Sequence, residues 1–534
     1  MHLARSVLHS ARLNDPSIDR IPVASRRAPS DPVRSQQAAS ADGGDMRSTF
    51  PQEEVALSLI DMFFDQYSLQ YPIISQEWLL HETREYYRRR SHSNVSTPKD
   101  TRLAFMLQMI FAISLLAISK GNQDEDALLQ AERFYSAAMV NLTIIMETKS
   151  LETLQGLLLL LLYSLLHFSA TPIWHMSGLC MRMCIDLGLH SETTIKASLN
   201  SVTSEEDIDC KRRLFWVTYT FDRTLSIMLG RPFTLEDKYI DVAYPDKSLP
   251  EERRKAMIHW VKLQRLQSLA VSRSHTSSSQ LSESISTWEK EMAQALKAWN
   301  DEALSFADGS RYTVDWWRYW YHNSLLLLHR PTPNAAAVGP DSLSTSYAAA
   351  KNVIEASFIR LHTGLLDFVC VDLHYQFMAG ITLLFLIWNS TDIRQTATEE
   401  WTSFKSCLVQ WELVLDAMAI RWDRASRAKE VAHKLSNATV SIVEREMSRP
   451  TTTEGVVHRG ASKTLLRDHD RARFIMQQLG SSGAPHERSP GTFGDPPCRG
   501  QTPRPFTTES QDVSDQQNVQ KPGKRQDSLS LLRR

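Results

Sequence analysis

Cysteine is scarce in this 534-residue chain, and its six copies, at positions 180, 184, 210, 370, 407 and 498, show no framework spacing. That excludes a disulfide-stapled secreted scaffold and suits a reducing compartment. An excess of one charge sign is missing too: the net charge is −1 and the isoelectric point about 7.0. A free-standing nucleic-acid-binding domain carries a basic surplus, so any such patch must be local. Long apolar runs are absent. The greasiest stretch, Gly156 to Ser169, has 12 residues between its small ends, well short of the roughly 20 that span a bilayer as a helix. It reads as a core helix, and no membrane partner is expected. With no secretory signal, the Asn-x-Ser/Thr triplets at Asn94, Asn141, Asn389 and Asn437 are incidental. Four enzyme signatures are missing: Gly-x-Gly-x-x-Gly, the Walker loop, His-Glu-x-x-His and Gly-x-Ser-x-Gly. Strand alternation and solenoid repeats are not evident either.

What is present is helical patterning, organised around Trp174 to Phe233. In its first half, Trp174, Gly178, Met181 and Ile185 form one stripe at helical spacing and Ser177, Cys180, Cys184 and Leu187 a second. A helix apolar around most of its circumference is expected to be buried. Gly188 stops it by taking a left-handed conformation, and Leu189 folds back on the last turn. In the second half Leu214, Thr218, Phe221, Leu225 and Met228 face inward until Gly230-Arg231-Pro232 ends the helix.

These residues carry a resemblance. The order Trp174, Gly178-x-(small)-x-Arg182-Met-(small)-x-x-Leu-Gly188-Leu-His190, then Arg-Arg213-x-Phe215-Trp216, Asp222-Arg223 and Leu-Gly230-Arg231-Pro232-Phe resembles the middle regulatory domain of fungus-specific transcription factors. The phrase FFDQYSLQYPIISQEWL after Ile60 resembles that domain's aromatic opening motif. The helix from Trp316 to Pro331, ended by His-Arg-Pro, resembles its later part. The likeness covers about residues 50 to 430 and is densest between 150 and 245.

The resemblance implies a nuclear regulator of RNA polymerase II-dependent genes, of a metabolic or biosynthetic pathway, controlled through dimer contacts, autoinhibition or a small effector. It implies promoter DNA and a homo- or heterodimeric partner. Family members hold two zinc ions in a Cys-x2-Cys-x6-Cys cluster near their N-terminus, whereas no cysteine precedes Cys180 here. Either the chain starts downstream of such a segment, or it regulates through a partner that carries one. Zinc belongs only to that segment, and no cofactor is expected in this chain. Two other classes stay open: a co-regulator without DNA contact, and an all-α enzyme of the terpenoid cyclase kind. For the latter, Asp124 to Asp126 and Glu205 to Asp209 are acidic but lack the spacing of a magnesium motif.

The fold expected is all-α: one large multi-helix domain over residues 51–447, between a disordered segment 1–50 and a mostly disordered tail 448–534. The acid-free start MHLARSVLHSARLN also has the composition of a mitochondrial presequence, weighed against an ordinary disordered terminus. Helices are expected from near Pro51, then over Arg102–Lys120, Leu128–Met146, from Leu151 with Ser150 as a partial cap, Glu251–Val271, Leu281–Ala303, 344–366, 370–390 and 397–445, with a short one across Lys463–Gln478 in the tail.

Several residues carry two readings. Cys180 and Cys184, with His175 and His190, sketch a zinc site, but free cysteine also packs as a small hydrophobe, and His190 lies beyond the helix stop. Arg182, set among apolar neighbours, needs a carboxylate; Asp222 is expected to pair with it, with Asp186 as the alternative. Asp222 has no second titratable group at a useful spacing for acid catalysis. The cluster Trp316, Trp317, Tyr319, Trp320 and Tyr321 suits core packing better than a ligand pocket. The basic runs Arg88–Arg90, Arg253–Lys255 and Lys521 with Lys524-Arg525 read as solvated faces and tails, the last also as a weak nuclear-import signal.

Overall fold

The computed structural model describes residues 50–448, apart from short segments at 93–96, 123–124, 168–172, 198–203, 248, 275–281, 308–311, 332–338, 367–368 and 423–424. The N-terminal and C-terminal stretches expected to be disordered, with the short helix at Lys463–Gln478, lie outside the described residues. So do the presequence-like start and the basic run from Lys521.

Seventeen α-helices and no strand occur among the described residues, as an all-α reading requires. The first layer holds α1 (Glu53–Tyr67), α2 (Gln76–His92), α3 (Pro98–Asn122), α4 (Glu125–Val140) and the single turn α5 (Leu142–Ile145). The fingerprint region holds α6 (Leu151–Leu166), α7 (Ile173–Asp186), α8 (Glu192–Ala197) and α9 (Glu205–Leu229). Next come α10 (Glu251–Ser274), α11 (Ser282–Ala303) and α12 (Val314–His329). The last group is α13 (Pro340–His362), α14 (Val369–Asn389), α15 (Thr391–Glu399), α16 (Trp401–Arg421) and α17 (Ala425–Met447).

Local chemistry sets these boundaries. Ser150 caps α6 by accepting from the Thr153 backbone N–H at 3.2 Å; Thr153, placed where a capping-box acid would sit, instead donates to the Thr148 carbonyl. Ser204 and Asp207 form a full capping box at the start of α9. Gly188 has φ +70°, Leu189 N–H donates to the Cys184 carbonyl at 2.9 Å, and Gly230 repeats the device with φ +61° at the end of α9.

α6 is buried from Thr153 to Leu166 and forms the hub: α3, α7, α9 and α14 all pack on it. By length and composition Pro98–Ser119 and Cys370–Asn389 are apolar enough to cross a membrane, and most of each is buried among other helices. The opening motif joins this hub. Tyr71 stacks on Phe221 of α9 with centroids 4.2 Å apart, and Gln155 of α6 donates to the Ile73 carbonyl.

Two helices were not expected. In α2 only Leu79 and Thr83 are deeply buried, too few for a visible period, and α8 is six residues inside a polar connector. The single run expected over 397–445 is broken at Glu400 and after Arg421 into the end of α15, α16 and α17. α16 and α17 are antiparallel, with a Glu412–His433 hydrogen bond and Asp416–Lys429 and Lys405–Glu444 ion pairs between them. The full burial expected for α7 is also corrected: Met176, Ser177, Gly178, Cys180, Met181 and Cys184 are buried, while His175, Arg182 and Asp186 are exposed. α6 and α9 cover one side only.

Candidate functional site

α9 is buried almost all round from Arg213 to Met228, more than its inward stripe Leu214, Thr218, Phe221, Leu225 and Met228 requires. The opposite side is covered by an extended strap, residues 231–247, which runs antiparallel to α9 and is fastened to it at successive turns. Ser226 donates to the Pro232 carbonyl. Asp222 accepts from Thr234 Oγ1 at 2.6 Å and from its N–H at 3.3 Å. Arg223 donates to the Leu235 carbonyl at 2.7 Å and to Asp237 at 3.2 Å. Tyr219 OH donates to the same Asp237 oxygen at 2.7 Å, and Ser268 of α10 donates to the other. Trp216 Nε1 donates to the Ala243 carbonyl at 2.9 Å, and Asp209 accepts from the backbone N–H of Asp246 and Lys247.

A second clamp holds the strap from α8. Glu192 accepts from Ala243 N–H and pairs with Arg212, while its own N–H donates to Asp241. Burial alone would raise the Glu192 carboxyl, but Arg212, the Ala243 N–H and Lys196 outweigh it and hold it down at about 2. His190 contributes through its carbonyl, which accepts from Asp241 N–H.

The charge at the centre is deeply enclosed. Arg223 is fully buried, pairs with Asp222 at 2.6 Å, and lies over the rings of Tyr219 and Phe233 at 4.2 and 4.3 Å. Burial opposes its charge, and Tyr219, Asp237 and Asp222 favour it strongly enough to raise its pKa. Burial also pushes the Asp222 carboxyl above its ordinary value despite Arg223 and Thr234.

The expected Arg182–Asp222 pair is not formed. Asp222 spends its oxygens on Arg223 and Thr234, and Arg182 is exposed, folded back so that its Nη1 would stand 3.4 Å from a Cβ at Gly178. Asp186, the alternative, pairs with Lys149 at 2.7 Å. The demand for a buried partner expected at Arg182 does not arise, because Arg182 stays in solvent; the buried guanidinium is that of Arg223, next to Asp222 in the chain. Arg213 is 1% exposed and gives one hydrogen to Cys210 Sγ at 3.4 Å. Phe215 is fully buried against Trp216 and Tyr219. Trp174, Gly230, Arg231 and Pro232 gather at the far end of α9, where Arg231 lies 4.4 Å over the Trp174 ring.

Both cysteines drawn into the zinc alternative are buried, and burial raises their thiols, Cys184 to about 12. Cys184 donates to Thr218 Oγ1, so its sulfur serves the α7–α9 contact, and no group of three metal-ligating residues occurs among the described residues. The aromatic run of α12 is core: Trp316, Trp317, Tyr319 and Trp320 are each at most 5% exposed, against Trp260, Trp299 and His259.

Sequence reading missed Thr234, Asp237, Ser268 and Glu192. All but Ser268 stand outside a long helix, where no apolar period marks them, and the signal that was available is the short polar run after Pro232-Phe233.

A family profile described as fungal specific transcription factor domain matches residues 60–301. The chain is 24% identical over 520 residues to a positive regulator of purine utilization from Emericella nidulans, an alignment covering 76% of this chain and 48% of that protein. It is 24% identical over 270 residues to pyrimidine pathway regulatory protein 1 of Saccharomyces cerevisiae, covering 45% and 29%. It is 30% identical over 156 residues to a negative regulator of pleiotropic drug resistance from Candida glabrata, covering 29% and 15%. The chain thus spans about half the length of the first of these relatives and less of the others.

Proposed function

We propose, from the match of residues 60–301 to the fungal specific transcription factor profile, that this protein regulates RNA polymerase II-dependent transcription in a fungal nucleus. The observation that carries the proposal is that the match encloses every residue of the strap-and-helix device around α9. That device is a scaffold: its hydrogen bonds run among its own side chains and to backbone, and Asp222, bound to Arg223 and Thr234, has the surroundings of a structural anchor rather than of a general acid. The matched profile and the names of the relatives are those of transcription regulators, which supports a regulatory rather than a catalytic role.

The fingerprint residues Trp174, Gly178, Arg182, Gly188, His190, Arg213, Phe215, Trp216, Asp222, Arg223, Gly230, Arg231 and Pro232 are proposed as the elements that shape this regulatory body. The domain is proposed to span 51–447, because the helices after residue 301 complete its core. Promoter DNA is its proposed target, reached through a zinc cluster carried with this domain or through a dimeric partner that has one. Since two of the relatives bear the names of purine and pyrimidine pathway regulators, genes of a metabolic or biosynthetic pathway are the proposed targets.

The test is deletion of the gene with transcript profiling, paired with chromatin immunoprecipitation of the tagged protein. The expected result is a coherent set of altered transcripts whose promoters hold the protein. Unaltered transcripts, with turnover of a small molecule by the purified protein, would overturn the reading.

A further inference from the structure

Ten of the thirteen fingerprint residues divide in two by where they lie. Arg213, Phe215, Trp216, Asp222 and Arg223 are buried under the strap or in the core. Arg182, Gly230, Arg231 and Pro232 are exposed, Trp174 is half-buried, and none of these five fastens the strap through its side chain.

These outward residues are brought together. The Cys184–Thr218 contact and the Arg231–Trp174 stacking make α7 and α9 antiparallel, so the start of α7 lies beside the end of α9. Trp174, Gly178 and Arg182 share one stripe of α7, each step rising about 6 Å. Arg182 folds back over Gly178 and Arg231 covers Trp174, which sets two guanidinium groups along the same stripe. Neither has a carboxylate within 4.0 Å among the described residues, whereas the exposed Lys149 is paired with Asp186, one turn from Arg182. Beside them Leu229 is 40% exposed, and His175 and Pro232 are exposed. The patch is therefore cationic, with an aromatic and aliphatic floor.

We propose that this patch docks an acidic segment of a partner protein, with carboxylates on Arg182 and Arg231 and an apolar side chain against Trp174 and Leu229. Arginine forks bind carboxylates bidentately, and tryptophan and arginine dominate the energetics of protein interfaces. The charge count favours a peptide over nucleic acid. Phosphate-backbone binding draws on many cations at once, and here there are two arginines on a chain of net charge −1. The inference goes beyond the transcriptional reading, which requires no particular surface, and it stands or falls separately from it.

The test uses the full chain and a fluorescein-labelled 16-residue peptide alternating Asp with Leu and Phe, read by fluorescence anisotropy. Saturable binding is expected, weakened by salt and absent for the same peptide with Lys in place of Asp. The R182E/R231E double variant is expected to lose at least tenfold in affinity while keeping a cooperative thermal melt, and R84E, an exposed charge reversal on α2, leaves binding intact. Absence of saturable binding, or equal binding by R182E/R231E and the parent, overturns the proposal. Tighter binding of a labelled 20-base-pair duplex, lost in R182E/R231E, would reassign the patch to nucleic acid.

Discussion

Arg223 shows how a single side chain can decide whether a region holds. Its guanidinium is fully buried and serves Asp222, the Leu235 carbonyl and Asp237 together. Removing one partner of a buried pair leaves an uncompensated charge, at a cost of about 3–5 kcal/mol. Arg223→Met is expected to lose that much in urea denaturation, whereas Arg182→Ala, at an exposed position, is expected to stay within about 0.5 kcal/mol. Titration gives a second expectation at this scale. Burial lowers His259, His322 and His374 to about 4, helped at His322 by Arg318 and at His374 by Arg330, and opposed at His259 chiefly by Glu302. A histidine whose folded pKa lies below its unfolded value of about 6.5 binds fewer protons folded than unfolded between the two values. Its contribution is fully present above pH 6.5 and is lost as pH falls toward 4. Urea midpoints should therefore drop steeply from pH 7 to pH 4.5, and His259→Phe should flatten part of that slope; a flat profile in the parent would refute the assignment.

At the scale of elements, the strap is a segment without regular structure apart from a 3-10 turn at Asp237–Tyr239, held by side chains of a helix. Its order depends on those side chains, since few of its backbone groups bond within the strap itself. Asp222→Asn is expected to speed hydrogen exchange across 233–240 while α6 remains protected; uniform exchange in both would show that the strap and the hub open together. Helix approach is set as sharply elsewhere. Gly380 of α14 lies against Trp411 of α16, where an added Cβ would meet Cε2 at 2.0 Å. Trp411 is fully buried and donates to the Gln376 carbonyl, so it cannot swing aside cheaply. Gly380→Ala is expected to cost about 1–3 kcal/mol in thermal or urea unfolding through overpacking.

Most helix positions could be read from the chain, because apolar period, Ser150 and the glycines at 188 and 230 act locally. The two helices that escaped, α2 and α8, present few apolar positions. The partner of Asp222 escaped for another reason: periodicity says which face of a helix is buried but not what covers it. The strap that draws Arg223 inward joins the helix only in three dimensions.

For the whole molecule, the matched stretch 60–301 packs against helices that follow it in the chain. Trp260 and Trp299 lie within it and are buried against Trp316, Trp317 and Trp320 of α12, and α14 packs on both α6 and α9. A chain of residues 50–301 is expected to aggregate or to lack a cooperative melt, while residues 50–448 should melt once; a soluble, cooperatively melting 50–301 would refute this. The sequence by itself determined the helical class, the helix stops, the aromatic core and the family likeness, since these follow from spacing and local backbone preference. Only the tertiary structure decided that Arg223 rather than Arg182 neutralises Asp222, that α7 keeps one face in solvent, and that an extended strap seals α9. Those outcomes depend on which surfaces meet across long chain separations, where desolvation and hydrogen-bond geometry select among partners that the sequence leaves equivalent.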